Sequence, residues 1–172
     1  VWFPFQWREG IEGYMKHIGF AEVEEAVTLR TYDLGPDTRI TYLAYSLESI
    51  VIIESEGLVI VNINDALNSN HENVVMMFLR VLKKRCPHID LLITGFSGAG
   101  YFPNQVRYPG KDDQEVGRIR EHYFAHHLCR YVDFLKPDRV APFAPGFALL
   151  EDHNRWINEV KFDRRKLPAY HA

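Results

Sequence analysis

The chain is poor in cysteine, has no excess of basic residues and contains no long apolar run. Its two cysteines, Cys86 and Cys129, lie far apart and belong to no Cys-x-x-Cys pair. That excludes a zinc ribbon, a dithiol redox motif and a disulfide scaffold, and it makes a reducing cytoplasm the expected compartment. Lys and Arg number 20 against 23 Asp and Glu, a formal net charge of -3. A nucleic-acid binder needs a basic surface that releases counterions, so no nucleic-acid partner is expected. The clusters Lys83-Lys84-Arg85 and Arg164-Arg165-Lys166 are short and read as solvated helix-end or tail charges. No stretch approaches the roughly 18–20 apolar residues of a membrane span, so no membrane partner is expected. Internal repeats and low-complexity tracts are missing too.

What is present fits one globular domain. The 172 residues are 47% hydrophobic and 25% charged, ordinary values for a chain that can bury a real core. The first residues, Val1-Trp2-Phe3-Pro4-Phe5, carry no initiator Met and read as the end of a strand. The chain is therefore expected to be a piece of a longer one.

Periodicity supplies the element order. Ile11, Tyr14, Met15 and Ile18 recur at three- and four-residue spacing before Gly19, which predicts a short helix. Residues 23–34 predict one or two short, partly exposed strands before the turn at Leu34-Gly35-Pro36-Asp37. From Thr38 to Tyr45, Ile40, Tyr42 and Ala44 alternate with Arg39, Thr41 and Leu43, the period of a strand. Ile50–Ile53 and Leu58–Ile63 flank Ser55-Glu56-Gly57 as a hairpin. Glu72 to Arg85 predicts a helix with Val74, Val75, Phe78, Leu79 and Leu82 on one face, N-cap chemistry at Asn68-Ser69-Asn70 and Pro87 as its stop. Ile89 to Phe96 predicts a buried strand. Gln114 to Leu135 predicts the longest helix, with Val116, Ile119, Tyr123, His127, Leu128, Tyr131 and Leu135 as its apolar stripe. Asp138 to Phe143 predicts a last strand, and Leu149 to Val160 a short helix.

Candidate site residues sit where strands end. Val59-Ile60-Val61-Asn62-Ile63-Asn64-Asp65 reads as a buried strand that delivers the Asp65 carboxylate to its carboxyl end. Two readings stand there: Asn64 and Asp65 cap the turn that follows, or Asp65 is a metal ligand or catalytic group. The loop 95–103 is rich in small residues and aromatics, with Ser97, Tyr101 and Phe102 as candidate substrate-binding residues. It does not fit Gly-x-Gly-x-x-Gly, and it reads equally as a packed turn or as a ligand loop. A third loop, 143–147, adds Phe143 and Phe147. In layered α/β folds ligands collect at the carboxyl ends of strands, so these three loops are expected to share one rim. His153, beside Asp152 and Asn154, is a second candidate ligand or a surface residue. His122 and His126 stand four apart without the glutamate of His-Glu-x-x-His and flank the apolar stripe as boundary histidines.

At these loops the sequence resembles the metallo-β-lactamase fold superfamily, and more narrowly the metallo-β-lactamase-like domain of CMP-N-acetylneuraminate hydroxylases and related bacterial proteins. The residues that carry the resemblance are Ser49-Ile50-Val51-Ile52-Ile53-Glu54, the hairpin at Glu56-Gly57 and Val61-Asn62-Ile63-Asn64-Asp65. They continue with Asp90-Leu91-Leu92, Phe96-Ser97-Gly98-Ala99, Phe102-Pro103, Lys136-Pro137, Pro142-Phe143-Ala144 and Phe147, and span about residues 18 to 160. The resemblance implies an α/β (α+β) fold, an αβ/βα sandwich with a mixed sheet flanked by helices, here without its N-terminal part. It also implies a metal-dependent hydrolase-like protein acting on a small anionic ester, lactone or phosphodiester through a metal-activated water. The implied cofactor is a divalent metal, zinc first, then manganese or iron. Asp65 takes the place of the strand-end Asp that bridges metals in the family. The His-x-His-x-Asp-His loop of the family has no counterpart in this chain, and no His stands at Ala144–Phe147, where the last ligand would fall. Two alternatives accompany this reading: a sugar-nucleotide-binding domain beside a Rieske-type monooxygenase, whose cluster would lie elsewhere, and a non-catalytic member that has lost its metal. Strand edges left by a missing N-terminal half would be covered by that half or by a second copy in a homo-oligomer.

Overall fold

The computed structural model describes residues 8–45, 48–68, 70–96, 106–143 and 148–171. A helix α1 (Arg8–His17) leads into four strands, β1 (Thr31–Gly35), β2 (Thr38–Tyr45), β3 (Glu48–Ser55) and β4 (Leu58–Asn64). Then α2 (Glu72–Arg85), β5 (Leu91–Gly95), α3 (Asp113–Leu135) and β6 (Arg139–Phe143) alternate. Short helices α4 (Ile157–Val160) and α5 (Leu167–His171), the latter preceded by a 3-10 turn, close the described chain.

All strands join one six-stranded sheet in sequence order, β1 to β6. The first four pair antiparallel. The β3–β4 hairpin turns on Glu56 and Gly57, both at positive φ (51° and 82°), the backbone geometry of tight hairpin turns. β4, β5 and β6 run parallel, because α2 and α3 each carry the chain back to the amino end before the next strand. The fold is thus mixed α/β, a meander continued by two strand–helix–strand units.

Strand alternation decides what lies under the helices. Leu43, Ile50, Ile52, Val61, Ile63 and Leu92 project to one face, where they form a single buried cluster with Val75, Phe78, Leu79 and Leu82 of α2 and Tyr131 and Leu135 of α3. A large side chain in such a core contributes about 1.5–3 kcal/mol through burial. The opposite face carries Ile40, Tyr42, Val51, Ile53, Ile60, Leu91 and Ile93, all half-buried. A second, smaller cluster packs Phe96 and Leu167 against Ala125 and Leu128 of α3.

Several local expectations change. The N-cap of α2 is His71, whose side chain accepts from the Asn73 amide; neither Asn68 nor Asn70 caps the helix, and Asn70 instead donates to the Ala66 carbonyl. Ile119 and Tyr123 are 63% and 40% exposed and leave the stripe expected for α3. Gly117 and Ala125 are buried instead, because α3 packs on α4 at Gly117 and on Phe96 and Leu167 at Ala125. Of the helix expected over 149–160, only Ile157–Val160 forms, after turns at 151–156. Residues 23–30 hold no strand, and only Thr31–Gly35 does.

Candidate functional site

The end of β4 is shaped by its own side chains. Asn62 Oδ1 accepts from the Asn64 amide at 3.0 Å, a bond that competes with the regular ladder. The pairing with β5 slips between Asn62 and Asn64. Asn64 then adopts φ 49°, a left-handed conformation that Asn tolerates better than most residues. The chain swings out of the strand and leaves Asp65 exposed, while Ala66 and Leu67 turn back into the core at 2% and 0% exposure.

Asp65 is held within its own turn. Its Oδ1 accepts from Asn68 Nδ2 at 2.9 Å, and its carbonyl accepts from the Asn68 amide at 3.0 Å. The turn is fixed to α3, since Tyr123 Oη donates to the Asn68 carbonyl at 2.9 Å. Next to it, Gly95 closes β5 without a side chain, and a Cβ there would stand 2.5 Å from Asp65 Oδ1. The small residue therefore makes room for the carboxylate. The Thr94 hydroxyl, one residue earlier, is fully buried and has no hydrogen-bond partner among the described residues, a state that costs about 1–3 kcal/mol. β6 ends beside it, with Phe143 paired to Gly95 and its carbonyl accepting from the Phe96 amide at 3.0 Å.

The parallel sheet thus places Asp65 and Phe143 at one carboxyl rim. Phe143 is half-buried. Ser97, Tyr101, Phe102 and Phe147 lie outside the described residues. His153 is exposed and shares a 3.0 Å hydrogen bond with Asn154 Nδ2. Among the described residues, neither Asp65 nor His153 belongs to a group of three clustered metal donors. His122 and His126 are exposed, as their flanking positions imply.

Beneath the rim, α3 buries His127 at 7% exposure. Its Nδ1 lies 3.4 Å from Tyr131 Oη, and its ring is 4.1 Å from that of Tyr123. Burial, aided by Arg130 and His126, lowers the pKa of His127, and burial raises that of the Tyr131 phenol.

One donor group does gather, at the opposite end of the sheet. His88, Asp90 and Asp138 offer ligand atoms that all lie within 4.8 Å of one another. Sequence spacing alone hid it, because Asp138 follows the whole of α3. Asp90 Oδ2 accepts from the Val59 amide at 2.7 Å, and this bond, with His88 beside it, holds the Asp90 carboxyl below its usual range. Among the described residues no helix is long and apolar enough to cross a membrane. Comparison with protein-family models, curated proteins and solved structures gives no match.

Proposed function

We propose that the chain is a hydrolase-like protein of the metallo-β-lactamase fold superfamily. Its site is the carboxyl rim of β4–β6, and its substrate is a small anionic ester, lactone or phosphodiester. Asp65 is a metal ligand in this reading, with zinc, manganese or iron as the metal. One observation carries it: three adjacent parallel strands end side by side, and the first delivers a carboxylate over the side-chain-free end of the second. That is where open α/β sheets place ligands. Among the described residues Asp65 belongs to no cluster of three metal donors, whereas a zinc site takes three or four ligands from the protein. The segments outside the described residues carry no His, Cys, Asp or Glu, so in this reading the remaining donors come from a further chain.

The same shortage of donors favours a second reading, a binding protein of this fold without a metal. The two separate in one experiment. Tag-free chain is stripped with chelator and reloaded with zinc, manganese or iron. It is then assayed on a lactone, an aryl ester and an aryl phosphodiester beside Asp65→Asn. The hydrolase reading expects metal-dependent turnover that falls at least about 10–100-fold in the variant, the loss that metal sites suffer even from changes beyond their direct ligands. Equal turnover in both proteins, or none in either, overturns it.

A further inference from the structure

His88, Asp90 and Asp138 meet where β5 and β6 begin, at the end of the sheet away from Asp65. Their backbone is set by the start of the parallel ladder. The Asp90 amide donates to the Val59 carbonyl at 2.9 Å, the Asp138 amide to the Ile89 carbonyl at 2.9 Å, and the Arg139 amide to the Asp90 carbonyl at 3.1 Å. Asp138 reaches this place because α3 stops just before it: Lys136 takes a left-handed C-cap conformation and Pro137 follows. The Val59 amide occupies one oxygen of Asp90 and leaves the other facing His88.

The spacing of the facing atoms is the telling quantity. His88 Nε2 lies 3.3 Å from Asp90 Oδ1 and 3.5 Å from Asp138 Oδ2. Ligand atoms about 2.0–2.2 Å from a tetrahedral zinc stand roughly 3.3–3.6 Å apart. One imidazole nitrogen and two carboxylate oxygens match the chemistry of such a site, the two edges that meet at His88 match its lengths, and all three ligand atoms lie within 4.8 Å of one another. We propose that His88, Asp90 and Asp138 form a three-ligand site for a divalent cation of the zinc class, open to solvent at its remaining position. The ion joins the segment that enters β5 to the one that enters β6, across the return from α3. His88 and Asp138 are largely exposed, at 63% and 58% for their side chains, so the cation has free access and replacing either residue removes no core packing. The inference is independent of the rim reading, which concerns other residues at the other end of the strands.

The test is calorimetric titration of zinc into chelator-stripped, tag-free chain, with the absorption of bound cobalt as a second readout. Wild type is expected to bind one equivalent through this trio. His88→Ala and Asp138→Asn are each expected to lose that equivalent or weaken it at least tenfold. His17→Ala, at an exposed histidine of α1, is expected to keep it. Zinc should raise the melting temperature of wild type and leave that of His88→Ala unchanged. The proposal is overturned if wild type takes up no zinc at millimolar concentration, leaving a plain ion pair, or if His88→Ala binds zinc with wild-type stoichiometry and affinity.

Discussion

Asn64 decides where Asp65 goes. At φ 49° a residue with an ordinary Cβ costs about 1–2 kcal/mol, and Asn and Gly are the usual exceptions. Asn64→Ala is therefore expected to destabilise the protein by about 1 kcal/mol, and Asn64→Gly by only a few tenths. Urea denaturation of the two variants checks this, and equal midpoints would show that the turn carries no conformational demand. The Asp65 carboxylate at a strand end was legible from the run Val59–Asp65. The handedness of Asn64 was not, nor the fit of Asp65 over Gly95. Both depend on where β5 comes to lie.

The helices show how far periodicity reaches. In α2 the residues expected to face the core do so, because the helix has one apolar face and one sheet to cover; Val75, Phe78, Leu79 and Leu82 are buried. In α3 a single stripe fails, because the helix serves two clusters and a third neighbour. Tyr131 and Leu135 enter the main core, Ala125 and Leu128 the smaller one, and Gly117 receives α4. A Cβ at Gly117 would meet Val160 Cγ2 at 2.9 Å, Trp156 Cζ3 at 3.2 Å and Ile157 Cδ1 at 3.3 Å. Gly117→Ala is expected to be nearly neutral, since a helix-propensity gain of about 1 kcal/mol offsets the crowding. Gly117→Val should cost about 1–3 kcal/mol by forcing α4 away. Trp156 fluorescence together with denaturant midpoints reads both effects, and a Gly117→Val protein with wild-type stability would refute this packing.

At the scale of the whole molecule, stability is tied to pH through His127. Its folded pKa lies below the unfolded value, chiefly because burial disfavours the imidazolium. Above about pH 6.5, the ordinary histidine value, both states are neutral and the group has no effect. As pH falls below that, the unfolded chain takes up a proton that the folded chain resists, and stability declines. Urea midpoints are expected to fall between pH 7.5 and pH 5.5, and His127→Gln should flatten that part of the decline. The same slope in both proteins would remove His127 as its cause. The chain's composition, its alternating and helical periods and its turn residues were enough to establish a mixed α/β domain, the order of its elements and the strand end that carries Asp65. These are local properties, readable because side-chain spacing and backbone preference act within a few residues. The tertiary structure alone decided the order of strands in the sheet, the proximity of Gly95 to Asp65, and the meeting of Asp138 with His88 and Asp90. Such proximities arise from parallel pairing across whole helices, and no local period encodes which distant strand will lie alongside.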